Sequence, residues 1–246
     1  MTDIRERPIL FSGPMVRALL AGTKTQTRRI VKLPHSNPLG QWEPTTVGGP
    51  GVRYSDDTPA PIQAAMWHTR TGDGLFCPYG QPGDRLWVRE TFVQGFPYDA
   101  GQDRLLQYDE GGNELPMQTW YRATDSDMRW ADDDGWEANV PWRPSIHMPR
   151  WACRLVLDIT SVRVERLQAI SPLDAIAEGV GLNPSAADVT MTAPEGEALP
   201  RVMFRELWDR INGAGAWDAN PWVWVVEFRA LAHPANEHGG SNGHPA

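Results

Sequence analysis

Lysine is nearly absent from this sequence. Of its 23 basic residues, only Lys24 and Lys32 are lysines, and all the others are arginines. A partly buried lysine can lose its proton and act as a base, whereas arginine stays charged at any ordinary pH. Lys24 is therefore either a functional residue at a position that did not tolerate arginine, or a remnant of a coding bias that favours arginine.

Cysteine and long apolar segments are scarce as well. The two cysteines, Cys77 and Cys153, form no disulfide framework and no paired-cysteine zinc motif. No apolar run is long enough to span a bilayer, and the N-terminus lacks the apolar core of a secretory signal. These features predict a cytoplasmic protein with free thiols and no membrane partner.

The sequence also has no overall excess of basic charge. Its net charge of −8 excludes a broad, non-specific nucleic-acid-binding surface, which has to be basic to displace counterions. The charge is uneven, however. Residues 1–35 carry seven basic and two acidic residues, whereas residues 95–145 carry eleven acidic residues and four arginines. The sequence therefore predicts a local anion site near the N-terminus.

The clearest secondary-structure signals precede residue 32. Pro8–Ser12 is typical of a short strand, and Ser12 is placed to cap a helix that Gly22 ends. The β-branched, alternating run Thr25–Val31 predicts a second strand. On this strand Thr25, Thr27 and Arg29 share one face, and Gln26, Arg28 and Ile30 share the other.

The rest of the chain favours strands over helices. Strands are predicted over 86–92 and 221–228, and residues 152–168 are predicted to form either one long bent strand or two strands around Thr160. Short helices are predicted over 171–178 and around 203–211. We predict a mainly β fold with short helices (α+β), built as a small β-barrel in one domain over residues 1–232. The Pro/Gly-rich segments 33–80 and 95–150 are interpreted as long insertions, and 233–246 as a disordered tail.

The motifs in these elements resemble ASCH domains, which are PUA-like β-barrels. Gly22-Thr-Lys24 followed by Arg29 matches their G-x-K-x-x-x-x-R signature. The Gly83-Asp84 turn, the A-x-x-E helix ending at Glu178 and the final strand 222–228 follow in the same order. The arrangement resembles the ASCH-type proteins of phages and prophages most. It covers about half of the chain, because the two insertions have no counterpart in minimal members.

The resemblance implies two possible functions. Small bacterial members of this superfamily hydrolyse 4-acetylcytidine with a Lys, a Thr and a Glu, which correspond here to Lys24, Thr27 and Glu178. By that resemblance the chain is an amidohydrolase that removes an acyl group from an acylated cytosine nucleoside or similar modified base, without a cofactor. Other members bind RNA or modified nucleic acid without known catalysis. The implied partner is a modified nucleoside or a short single strand.

Amide hydrolysis needs a nucleophile, a base, an oxyanion stabiliser and an acid for the leaving amine. Thr27 offers the hydroxyl, and Lys24 is either the base or the oxyanion stabiliser. Glu178 either relays a proton or holds Lys24. A carboxylate in the last turn of a helix opposes the helix dipole, and such conflicts are typical of functional sites. The alternatives are that Thr27 is an ordinary strand residue and Glu178 a solvated acid.

Three more residues are predicted to bind substrate: Arg29, Trp87 and Glu90. Arg29 either binds a phosphate or carboxylate or pairs with Glu178, and Glu90 is alternatively a structural ion-pair partner. Arg28 is predicted to lie on the surface.

Two further groups of residues have weaker patterns. The spacings of His68, Cys77, His147 and Cys153 match no compact zinc motif, so no metal is expected. The tryptophans of residues 120–151 either stack a base or pack the insertion onto the barrel.

Overall fold

The structure is a computed structural model that describes residues 4–99, 104–131, 136–181, 191–194 and 196–231. With 34% of residues in strands and 18% in helices, it confirms the prediction of a mainly β protein with helices. The strands are β1 Glu6–Leu10, β2 Gln26–Ile30, β3 Trp42–Val47, β4 Gln63–His68, β5 Gly74–Phe76, β6 Arg85–Arg89, β7 Phe92–Gly95, β8 Tyr98–Asp99, β9 Arg104–Leu105, β10 Gln118–Tyr121, β11 Trp130–Ala131, β12 Glu137–Ala138, β13 Val156–Arg166 and β14 Trp222–Leu231. The α-helices are α1 Gly13–Leu20, α2 Pro172–Ala177 and α3 Leu199–Asn212.

The chain divides into two compact units. Among the described residues, the first unit takes in the chain up to Arg7, Ala18–Leu86 and Leu157–Leu231. The second unit takes in Pro8–Arg17 and Trp87–Val156. The single domain proposed for residues 1–232 stays a prediction, and the predicted disordered tail, 233–246, lies outside the described residues.

The largest sheet has five strands in the order β1-β6-β13-β14-β2. In the part that the structure describes, none of the sheets closes into a barrel, so the predicted barrel is not confirmed. Strands β2 and β14 are antiparallel, and their register places Thr27 opposite Val226 and Arg29 opposite Trp224. The described helices include none that is long and apolar enough to cross a membrane.

Successive residues of β14 enter two different cores, as strand alternation requires. Val223 and Val225 lie in a core with Phe204 and Trp208 of α3. Trp224 lies in a second core with Val31, Trp42 and Met66. The sheet therefore has helices on one face and the β3–β5 region on the other.

Residues 33–80 are more ordered than the sequence indicated. They contain the antiparallel three-stranded sheet β3-β4-β5. Trp42 and Met66, two of the predicted apolar anchors, are buried in the second core, whereas Trp67 is 41% exposed. Strand alternation explains the difference, because neighbours on β4 point to opposite faces. This insertion packs as a layer.

The second unit holds the acidic segment between residues 95 and 150. Here β7 pairs with β10, β8 with β9, and β11 with β12, all antiparallel. Trp120 and Trp130 meet edge to face at 6.3 Å between ring centroids. Trp136 and Trp151 are exposed. Because both tryptophans belong to the same segment, their contact tests neither the packing of the insertion onto the barrel nor the stacking of a base, and both interpretations stay open.

Helix α2 begins as the sequence predicts. The Ser171 hydroxyl accepts a hydrogen bond from the Asp174 main-chain N–H at 3.1 Å, and the Asp174 carboxylate accepts one from Ser171, so the two residues form a capping box. Pro172 occupies the first turn, where its missing N–H costs nothing. The helix ends at Ala177, with Glu178 as its C-cap.

Candidate functional site

The chain on either side of Lys24 is fixed by main-chain hydrogen bonds. Gly22 adopts a positive φ of 72° after α1, and the Lys24 N–H then donates to the carbonyl of Ala18. The Thr25 N–H donates to the carbonyl of Ala177 at the end of α2. These bonds place Lys24 against the C-terminus of α2, although about 150 residues separate the two in sequence.

Lys24 and Glu178 form a buried ion pair. The Lys24 Nζ lies 3.0 Å from Glu178 Oε2, and it also donates to the main-chain carbonyl of Glu178 at 2.8 Å. The side chains of Lys24 and Glu178 are 0% and 4% exposed. Burial lowers the pKa of Lys24 below its ordinary value, against the opposing effect of Glu178. Of the two predicted catalytic partners of Lys24, the structure therefore brings Glu178 into direct contact.

The same contact resolves the conflict between Glu178 and the dipole of α2. A cation near a helix C-terminus is favourable, and Lys24 supplies one by bonding both the last carbonyl and the carboxylate. Gly179 then has a φ of 84°, and a Cβ there would lie 3.0 Å from the Cβ of Ala18. The position of Glu178 is thus explained by local packing, and the dipole argument alone no longer singles out function.

The position of Arg28 differs most from the sequence prediction. It was predicted to lie on the surface, yet its side chain is 0% exposed. Its Nη1 donates to Glu178 Oε1 at 3.1 Å, and its Nε donates to Glu165 Oε1 at 3.0 Å. A third carboxylate, that of Asp174, lies 3.4 Å from Nη2. These three acids compensate the buried charge, which is why the side chain turns inward.

A wider network surrounds this arginine. Arg163 on β13 pairs with Glu165, with Asp174 at 3.2 Å and with Glu227 on β14. The Gln26 amide also donates to Asp174, both to its carbonyl at 2.6 Å and to its carboxylate. Burial by itself would raise the pKa of Asp174, but the Ser171 hydroxyl and then Arg28 outweigh it and lower that pKa. The network joins β2, β13, β14 and α2.

Thr27 and Arg29 occupy the opposite face of β2 from Gln26 and Arg28. Thr27 is buried, and its backbone pairs with Val226. Burial lowers the pKa of Arg29, while Tyr79 and then Glu178 oppose that change. The positive charges of Arg29 and Arg28 each lower the pKa of Lys24. The Lys24 amine thus interacts with arginines from both faces of β2. Whether Arg29 pairs with Glu178 or binds a phosphate or carboxylate stays a prediction.

The other two predicted substrate-binding residues belong to the second unit. Glu90 is buried and forms a two-point ion pair with Arg154, at 2.8 and 2.9 Å. Trp87 is half-buried, with the Arg89 guanidinium carbon 5.4 Å from its ring centroid. Glu90 therefore has the structural ion pair that was its alternative interpretation, and the substrate-binding role of both residues stays a prediction.

Three of the four residues of the weak zinc pattern, His68, Cys77 and Cys153, are described by their burial, hydrogen bonds or pKa. His68 is buried, and its Nδ1 accepts a hydrogen bond from the Thr71 N–H at 3.2 Å. The Cys153 thiol is buried and donates to the Leu155 carbonyl. Burial raises the pKa of the Cys77 thiol to about 11. Across the residues that the structure describes, no group of three or more His, Cys, Asp or Glu side chains is arranged to hold a metal ion.

Sequence reasoning missed Arg28, Glu165 and Asp174 as members of the buried cluster. A signal was present for Arg28, because positions 24, 26 and 28 have the same parity and their side chains all contact the 174–178 segment. No known family, curated protein or solved structure matches this chain.

Proposed function

We propose that this protein is an amidohydrolase that removes an acyl group from an acylated cytosine nucleoside or a similar modified base, in a PUA-like setting of the ASCH type. The observation that carries the proposal is the buried Lys24 amine with its lowered pKa, bonded to Glu178 at 3.0 Å. Desolvation favours the neutral form of a buried lysine, and a neutral amine can accept a proton, so burial makes Lys24 a better candidate for proton transfer than a solvated lysine.

The reaction assigns a role to each residue. Entry of the substrate has to bring the Thr27 hydroxyl, which lies on the opposite face of β2 from Arg28, within reach of the Lys24 amine. Neutral Lys24 then takes the hydroxyl proton as the Thr27 oxygen attacks the acyl carbonyl carbon. The carbon–nitrogen bond breaks, and Lys24 returns the proton to the leaving exocyclic amine. A water molecule, deprotonated by Lys24, then attacks the ester carbon, the bond from that carbon to the Thr27 oxygen breaks, and Lys24 returns the proton to that oxygen. The acyl group leaves as a carboxylic acid. Glu178 holds the amine throughout and stabilises its charged form.

Access to the site is part of the proposal. Because the Lys24 side chain is fully covered, the substrate must displace some of the residues over it. Displacement by substrate is a common way to exclude water from a reacting group. The proposal therefore includes a closed resting state, with Lys24 and Glu178 paired until a substrate enters.

A direct test is the release of cytidine from 4-acetylcytidine by the purified protein. Lys24→Ala and Glu178→Ala are each expected to lower kcat roughly 100-fold or more, since proton transfer by a positioned group contributes about that much. Lys32→Ala is the matched control, because Lys32 is the other lysine and is exposed. Failure of the unaltered protein to turn over any of a panel of acylated cytidines would sink the proposal.

A second candidate is a non-catalytic module that binds a modified base. The observation that favours it is that both carboxylate oxygens of Glu178 are already bonded, one to Lys24 and one to Arg28. This candidate predicts saturable binding of a modified oligonucleotide that survives Thr27→Ala. The hydrolase predicts instead that Thr27→Ala stops turnover.

A further inference from the structure

The carboxylate of Glu178 is held at two separate points. Oε2 lies 3.0 Å from the Lys24 amine, and Oε1 lies 3.1 Å from Nη1 of Arg28. A carboxylate held at one oxygen can still rotate about its terminal bond, which has a broad torsional preference. Bonding the second oxygen to another residue removes that freedom. The contact with Arg28 therefore fixes which oxygen faces Lys24.

Arg28 is itself held from other directions. Its Nε donates to Glu165 on β13, and Asp174 of α2 lies 3.4 Å from Nη2. Its guanidinium carbon lies 5.9 Å from the ring centroid of Phe204 on α3. A planar guanidinium with fixed donors at several edges is an oriented support, whereas a lysine ammonium would be a point charge.

We propose that Arg28 is a positioning residue that acts through Glu178: it holds Oε1, so that Oε2 faces the Lys24 amine, and it shares the carboxylate charge that would otherwise act on Lys24. Its consequence for the reaction rests on the proposed amide hydrolysis, but its effect on Lys24 can be measured without any substrate. Arg28 does not touch the reacting atoms in this scheme.

The charges around the pair determine what the loss of Arg28 does. Lys24 faces Glu178 from the end of α2, and Arg28 and Arg29 from β2. Arg28 faces Glu165 of β13 and Asp174 and Glu178 of α2, and Arg163 and Glu227 complete the network. Removing Arg28 takes one positive charge from the neighbourhood of Lys24 and leaves Glu178 with one cation fewer. Both changes favour the charged form of Lys24, so its pKa rises.

The scarcity of lysine makes this effect directly measurable. Protein labelled with ¹³C-lysine gives signals from only two side chains, those of Lys24 and Lys32. Lys32→Arg identifies which signal belongs to which residue. The exposed Lys32 also serves as an internal reference in each titration.

The deciding comparison is between Arg28→Gln and Arg163→Gln. Both variants remove an arginine from the same network, but the contacts of Arg163 are with Glu165, Asp174 and Glu227, and those of Arg28 include Glu178. We expect the titration midpoint of Lys24 to shift upward in Arg28→Gln and to stay near its original value in Arg163→Gln. Equal midpoints in folded Arg28→Gln and in the unaltered protein would overturn the proposal.

A second variant covers the case in which Arg28→Gln does not fold. The double substitution Arg28→Gln/Glu165→Gln removes one cation and one carboxylate together, so it leaves no extra buried charge. The same upward shift is expected. An unshifted midpoint in this variant would again refute a positioning role.

The kinetic consequence separates this proposal from the proposed function. If the protein hydrolyses 4-acetylcytidine, loss of Arg28 is expected to lower kcat on the order of 100-fold with little change in KM, the cost of misplacing a catalytic group by about 1 Å. The acid limb of the pH–rate profile should move to higher pH, because neutral Lys24 is the active form. If there is no turnover at all, the hydrolase proposal fails, and the lysine titration still decides whether Arg28 positions the pair.

Discussion

Among the residues that the structure describes, two glutamates are buried, one in each unit, and their partners differ. Glu178 in the first unit is shared between a lysine and an arginine, one at each oxygen. Glu90 in the second unit has both oxygens bonded to a single arginine, Arg154. The two carboxylates are almost equally buried, at 4% and 1% exposed. The chemical difference between them therefore comes from the partner cation.

The partner of Glu90 makes that site a fixed ion pair. The Arg154 guanidinium carbon lies 3.9 Å from the ring centroid of Tyr121, whose hydroxyl donates to the Ala152 carbonyl. Burial raises the pKa of Tyr121 to about 12. The cation of this pair is an arginine, and a guanidinium is a fixed, planar charge that suits a two-point ion pair with a carboxylate.

The Glu178 cluster differs because one of its two cations is a lysine, Lys24. Its burial lowers the pKa, and the arginines on β2 add to that effect. A buried ion pair is not in itself a sign of function, since structural networks also perturb pKa values. The two sites differ in whether the cation is an arginine or a lysine, and this difference separates the structural Glu90–Arg154 pair from the proposed catalytic Glu178–Lys24 pair.

Breaking the Glu90 pair should have the largest effect on stability. Arg154→Ala leaves a buried carboxylate without its two-point partner, so we expect the free energy of unfolding to fall by about 3 kcal/mol. Urea denaturation followed by tryptophan fluorescence measures the change. Arg229→Ala is the control, because Arg229 is largely exposed and its pairing with Asp158 should contribute less than about 1 kcal/mol. Equal effects of the two substitutions would contradict this interpretation of Glu90.

A smaller effect is expected at the start of the helix that carries Glu178. Ser171→Ala removes the hydroxyl of the capping box and should lower the free energy of unfolding by about 1 kcal/mol. Ser126→Ala, at an exposed hydroxyl that bonds Asp127, is expected to change it little. Thermal unfolding of both variants measures the change in stability. If Ser171→Ala left the free energy of unfolding unchanged, the tertiary hydrogen bonds and ion pairs of Asp174 alone would fix α2.

The smallest expected effect is on the pH dependence of stability. Burial raises the pKa of Glu90 above its ordinary 4.5, although Arg154 opposes the change. Between 4.5 and the higher folded-state value, the folded protein binds more protons than the unfolded one, so stability falls as pH rises through that window. Asp174 contributes the opposite slope, because its lowered pKa gives stability that is lost as pH falls below 3.8.

The two slopes can be separated by substitution. In Glu90→Gln the decrease in the free energy of unfolding above pH 4.5 should disappear, and in Asp174→Asn the loss below pH 3.8 should become shallower. Urea midpoints measured between pH 3 and pH 7 provide both comparisons. An unchanged slope above pH 4.5 in Glu90→Gln would show that Arg154 outweighs burial, and would bring the two buried glutamates closer in behaviour than we infer.

The sequence determined the local structure near Lys24 and at α2. The predicted strand at residues 25–31, the helix before it and the Ser171 cap are all present, within one or two residues at their ends. These elements rest on short-range signals, namely alternation, capping and glycine or proline at helix ends. The closed barrel was not confirmed, because closure depends on pairing between distant strands, which local signals do not encode.

The candidate site itself was decided by the tertiary structure. The sequence singled out Lys24 by the scarcity of lysine, Glu178 by its place at the end of a helix, and both by their motif. Their contact depends on how α2 docks against the turn after α1. Arg28 was predicted to lie on the surface, where most arginines are found. It is buried because three carboxylates from two other elements converge on it, and electrostatic compensation of that kind exists only once the chain is folded.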